Sequence, residues 1–231
     1  YSKKVEDREV QSLADAHGVD PSQITRKSDH SMGAAIKDDF SGAEEDLGIA
    51  LMNDDKVGAK AARLEQAASG GLFGMGTDEK EIFKQLKDPA LAPPKRDDPD
   101  YDTKYAAYQQ AKVDRDALKA RYQEKYGRSI ESMIQSEMGD AKDTANYEAQ
   151  IAGQFLSEGK ADDDLMLKYA VDGPGTDEAM IRETLAGKSK AEIAELKRKY
   201  AQRFGGQGAP ADLLDRELGV GQYSGWGAET S

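Results

Sequence analysis

The sequence predicts an all-α protein assembled from repeated helical units. Three observations predict it. Ala, Glu, Lys, Leu, Asp and Gln dominate most segments, and these residues favour helix over strand. Apolar residues recur four positions apart, as in Tyr147, Ile151 and Phe155 or Leu196, Tyr200 and Phe204, which gathers them on one helical face. The chain is also self-similar, and no run of alternating β-branched residues suggests a strand.

The repeats can be followed in order. Residues Ile36 to Gly42 lead into an apolar stretch from Ala43 to Met52 that reads as a helix. Gly74-Met75-Gly76-Thr77-Asp78-Glu79 returns as Gly173-Pro174-Gly175-Thr176-Asp177-Glu178, 99 positions later, with Ile82 and Leu86 returning as Ile181 and Leu185. Thr77 and Thr176 are expected to cap the helices that follow, and the acids after them suit a positive helix N-terminus. Leu118 to Gly127 matches Leu196 to Gly205 at a shift of 78, so the first copy carries 21 extra residues. These fall around 89–110, where Pro89, Pro93, Pro94 and Pro99 deny a helix its amide donors, and they are expected to form a surface loop insertion. Ser136-Glu137-Met138-Gly139 then matches Arg216-Glu217-Leu218-Gly219, each with an acid near the end of a short apolar helix.

Composition limits the function. The chain has 231 residues, 38% hydrophobic and 33% charged, which suits a soluble helical protein with solvated outer faces. It has no cysteine, so disulfides, thiolate nucleophiles and cysteine metal sites are excluded, and only His17 and His30 offer imidazole. The net charge of −12 argues against nucleic acid, and an anionic membrane would need a cation as mediator. No stretch approaches the roughly 18 apolar residues of a membrane span, and 1–30 does not read as a signal peptide. No nucleophile, base and orienting group converge at a recognisable spacing, so no enzyme is expected.

With these repeats in view, the chain resembles the annexin family. The resemblance rests on the two Gly-x-Gly-Thr-Asp turns, the helices after them, the downstream acids, and Asp39-Phe40-Ser41-Gly42 followed by Ile49-Ala50-Leu51-Met52. It implies five-helix units, A to E, in a right-handed superhelical arrangement. One complete repeat at 57–158, with its B–C insertion at 89–110, would be flanked by a partial repeat (helices C, D and E) at 4–54 and another (helices A to D) at 161–219, with a tail at 220–231. In the complete unit the helices would be A at 57–68, B at 78–87, C at 113–126, D at 129–137 and E at 144–157. In the next unit they would be A at 163–171, B at 178–186, C at 190–204 and D at 210–217. Fewer than the family's usual four repeats, and a first residue Tyr1, imply a piece of a larger protein, in the cytoplasm or secreted.

The resemblance also implies calcium sites. In the first, the carbonyls of Leu72, Gly74 and Gly76 and the carboxylate of Glu137 would hold Ca2+. In the second, Val171, Gly173 and Gly175 would act with Glu217, or with Asp215, which has the standard spacing from Thr176. Calcium takes six to eight hard oxygens, so such a site leaves positions for lipid phosphate oxygens. The implied activity is calcium-dependent binding to anionic phospholipid membranes, with Leu72, Phe73 and Met75 dipping among the headgroups. The alternative is a calcium-independent scaffold that uses the same helices to bind protein. Asp98-Pro99-Asp100-Tyr101-Asp102 opens like an EF-hand loop, but Thr103 stands where Gly is needed and Gln109 where Glu is needed, so it reads as a solvated loop. Tyr101, Tyr105 and Tyr108 read as a short packing helix, and His17 as a packed helix-end residue.

Overall fold

The computed structural model describes residues 32–70, 76–143, 145–172 and 176–205, with Gln11 and Asp15 besides. Among them every regular element is helical. The order is α1 (Met32–Asp39), α2 (Ala43–Met52), α3 (Lys56–Ala68), α4 (Glu79–Leu86), a 3-10 turn (Pro89–Leu91), α5 (Tyr101–Tyr126), α6 (Ile130–Met138), α7 (Tyr147–Glu158), α8 (Asp163–Asp172), α9 (Glu178–Leu185) and α10 (Lys190–Phe204). Helices α3 to α7 form one unit, and α8 to α10 begin the next. His17, His30 and the segment expected as helix D at 210–217 lie outside the described residues.

Local chemistry starts these helices. The carboxylate of Asp55 accepts from the Gly58 amide, Asp78 from Glu81, and Asp177 from Met180. The hydroxyl of Ser129 accepts from Ser132. Ser189 and Glu192 make a reciprocal capping box at α10. The caps of α4 and α9 are thus Asp78 and Asp177, one residue later than the threonines expected to serve. A carboxylate is the better acceptor for an exposed amide at a positive helix end, and this releases Thr77 for another contact.

The two units bury the same apolar positions. Ile82 and Ile181 are both fully buried, as are Tyr122 and Tyr200 to within 2%. Leu64 on α3 and Leu167 on α8 lie equally deep, because the amides of Asp78 and Asp177 bond the carbonyls of Ala67 and Ala170 and so fix matching positions on the two helices. The first core then recruits Ile130, Met133 and Ile134 from α6 and Ile151, Phe155 and Leu156 from α7. A seam joins the units. Phe83 meets Tyr169 edge-on at 5.2 Å, Lys80 pairs with Asp177 at 2.6 Å, Lys87 pairs with Glu183, and Arg203 donates to Gln150 at 2.7 Å.

The stretch at 89–110 is only partly a loop. Leu91 is buried, and the 3-10 turn packs on α5 and α7. Helix α5 begins at Tyr101, twelve residues before the expected start at 113. Pro99 is the last residue that forbids a helix, and the residues after it are good helix formers. Tyr101, Tyr105 and Tyr108 lie along this extension with successive ring centroids 5.7 and 6.2 Å apart, and Tyr105 stays exposed.

Gly159 ends α7 with a φ of 69°. A Cβ there would lie 1.9 Å from the Asp88 carbonyl oxygen, and the Gly159 carbonyl accepts from the Asp88 amide at 2.8 Å. Only glycine permits that approach, which holds the turn after α4 against the end of α7.

Candidate calcium site

Glu137 is brought to the end of the glycine-rich loop from 60 positions away. It stands in the last turn of α6, which Ser129 caps and which Ile130, Met133 and Ile134 anchor in the core. Those three buried residues fix the rotation of the helix and leave Glu137 on its outer side. There Thr77 donates its hydroxyl to Oε2 of Glu137 at 3.5 Å. Gly76, just before Thr77, has a φ of 78°, and nothing lies within 4 Å of the place a Cβ would take, so glycine is required there by backbone conformation and not by crowding.

The other carboxylate oxygen is occupied as well. The one hydroxyl proton of Ser136 is shared between Oε1 of Glu137 and the Met133 carbonyl oxygen, each at 2.9 Å, and Nη1 of Arg128 donates to Oε1 at 3.3 Å. Arg128 follows the C-cap Gly127 of α5, whose φ of 70° turns the chain back toward α3. Its Nη2 reaches both carboxylate oxygens of Glu65 on α3, at 3.3 and 3.2 Å. Tyr122 donates its hydroxyl to the same carboxylate of Glu65. Burial opposes the charge on Arg128, but the bonds to Glu65 and Glu137 win and raise its pKa above the ordinary value. Burial and the Glu65 carboxylate together push the Tyr122 hydroxyl far above the usual phenol value, so it stays a donor at every working pH.

Of the residues expected at the first site, Glu137 lies against Thr77, the neighbour of Gly76, and Leu72 and Gly74 lie outside the described residues. At the second, Val171 stands in the last turn of α8, where carbonyls have no partner inside the helix, and Gly173, Gly175, Asp215 and Glu217 lie outside the described residues. Among the described residues no three carboxylates or histidines gather to hold a metal ion. The oxygen chemistry that the described residues offer here, the Glu137 carboxylate beside Thr77, suits a hard cation. It does not suit zinc, which wants nitrogen and sulfur ligands in a closed shell.

Arg128 and Glu65 were not among the expected site residues. Glu65 sits in a helical run of charges with nothing to single it out, and Arg128 follows a glycine outside any periodic stripe. The available signal was a difference between the copies: the counterpart of Arg128 at a shift of 78 is Gly206.

The chain matches no family model. Over 133 residues, 57% of its length, it is 30% identical to annexin A13 of Mus musculus, and the match spans 33% of that protein. An annexin-like relationship over part of the chain accords with the helical repeats. Among the described residues, no helix is long and apolar enough to cross a membrane.

Proposed function

We propose that this chain binds anionic phospholipid membranes through calcium, and that the first site lies between the 71–77 loop and Glu137. The observation that carries the reading is the Glu137 carboxylate beside Thr77 at 3.5 Å, set there by a helix whose other face is core. Loop carbonyls and one carboxylate hold calcium with only part of its charge neutralised. The ion keeps open positions, and lipid phosphate oxygens fill them. Protein, metal and lipid then bind as a linked set, each strengthening the others. The net charge of −12 makes the cation necessary, because the protein and the lipid surface otherwise repel. No catalytic step belongs to this reading.

Co-sedimentation with phosphatidylserine vesicles tests it. Wild type should pellet with calcium and stay in solution with chelator. Glu137→Gln should keep its helical circular dichroism and lose at least about tenfold in calcium affinity at this site, since the only charged ligand is gone. Vesicle binding indifferent to calcium would replace this reading with the protein scaffold.

A further inference from the structure

Glu137 already has a cation. Arg128 holds Oε1 at 3.3 Å, with Ser136 at 2.9 Å beside it and Thr77 at 3.5 Å from Oε2. Calcium needs that carboxylate turned to the loop and released from its donors. We infer that Arg128 is the built-in competitor of calcium at the first site, and that calcium enters only as Arg128 gives up Glu137 and withdraws to Glu65. This rests on the calcium reading above and adds what sets the site's affinity.

The geometry makes the exchange possible. Arg128 divides its guanidinium between two acids, with one nitrogen for each. Losing Glu137 leaves the Nη2 bonds to Glu65 in place, at 3.2 and 3.3 Å. Glu65 is held in turn by the Tyr122 hydroxyl, whose ring is fully buried, so this second acid is fixed. The arginine therefore moves between a shared and an unshared state and is never left unpaired. The Arg128 side chain is about a third exposed, so its grip is moderate and weakens with salt.

The second unit does not repeat this pair of residues. The position matching Arg128 is Gly206. The position matching Glu65, counted from the shared bond to Ala67 and Ala170, is Lys168. The acid and the arginine are lost together, as expected if they work as a pair. A calcium site in that unit meets no resident cation from this pair.

The test combines calcium titration calorimetry with stability in calcium-free buffer. Arg128→Gln should bind calcium about three- to tenfold more tightly at the first site, with the gain shrinking as salt rises. Arg128→Lys, which keeps the charge but not the fork, should fall between it and wild type. The first site is identified as the binding lost in Glu137→Gln. Without calcium, a double-mutant cycle of Arg128→Gln and Glu137→Gln should show favourable coupling in urea unfolding. Coupling together with raised affinity supports the competition. Coupling with unchanged or lowered affinity overturns it and leaves the calcium reading standing. Absence of coupling overturns it too. If wild type and Arg128→Gln both fail to bind calcium, the proposed function fails, and the competition with it.

Discussion

Tyr122 and Tyr200 occupy the same place in two successive units, and their hydroxyls meet different fates. Both rings are buried against matching leucines and isoleucines. The Tyr122 hydroxyl donates to Glu65, but the Tyr200 hydroxyl has no partner among the described residues. Where the first unit has Glu65 the second has Lys168, which turns away to pair with Asp172 at 2.8 Å. Asp172 accepts in addition from the hydroxyl of Tyr147 at 2.8 Å. The apolar positions have stayed because each fills a volume its neighbours define, while the polar set has been exchanged as a group. A repeat can therefore keep its fold while its polar contacts are rewritten.

The largest test of this comparison lies in the cores. The first has eighteen buried apolar members and the second five among the described residues. Ile82→Ala should cost about 4 kcal/mol and Ile181→Ala about 3, because the half-exposed Met180, Leu185 and Val171 can shift into the smaller core's gap. Urea unfolding of both variants checks this, and a larger loss for Ile181→Ala would reverse the ranking. The next test removes the hydroxyls. Tyr122→Phe should cost about 1–2 kcal/mol, because it strips a buried donor from Glu65, whereas Tyr200→Phe should be neutral or slightly stabilising. Equal losses would mean that Tyr200 has found a partner in solution.

The smallest effect concerns Asp172. Burial raises its pKa, but the bonds from Lys168 and Tyr147 outweigh it and hold the carboxyl below the usual aspartate range. A carboxyl with a depressed folded pKa adds stability above its unfolded value near 4, and loses that contribution as the pH falls through the folded value. The carboxylate is partly exposed, so the screened contribution is only about 0.5 kcal/mol. Asp172→Asn should therefore be slightly weaker than wild type between pH 5 and 8, and the gap should close in acid, as followed by urea unfolding across pH. A gap that widens in acid would contradict the assignment.

The helices were legible in the sequence because burial imposes a period, and Ile82, Leu118, Tyr122 and Ile151 obey it. The approach of Glu137 to Thr77 was legible because an acid recurs in sequence downstream of a recurring turn. Three features were not. The helical start at Tyr101 was hidden by four prolines, and only Pro99 limits it. The choice of Asp78 over Thr77 as cap depends on which side chain turns inward, which composition does not state. The bond from Arg128 to Glu65 joins residues 63 positions apart that no stripe links.

The seam between the units is apolar at its centre, where Leu165 of α8 enters the first core with Met166, Tyr169 and Phe204 packed against it, and charged at its edge. Nearest-neighbour coupling decides whether adjacent repeats open together or one at a time. Here Leu165, Met166, Phe204 and the Phe83–Tyr169 ring pair supply the part of that coupling that ions do not touch, and Lys80–Asp177, Lys87–Glu183 and Arg203–Gln150 add the polar part. The joint thus combines an apolar centre that salt leaves in place with polar struts on α9 that loosen as ionic strength rises. Amide hydrogen exchange along α9 should quicken in high salt while α6, α7 and α8 remain protected, so that the outer edge of the joint loosens before either unit melts.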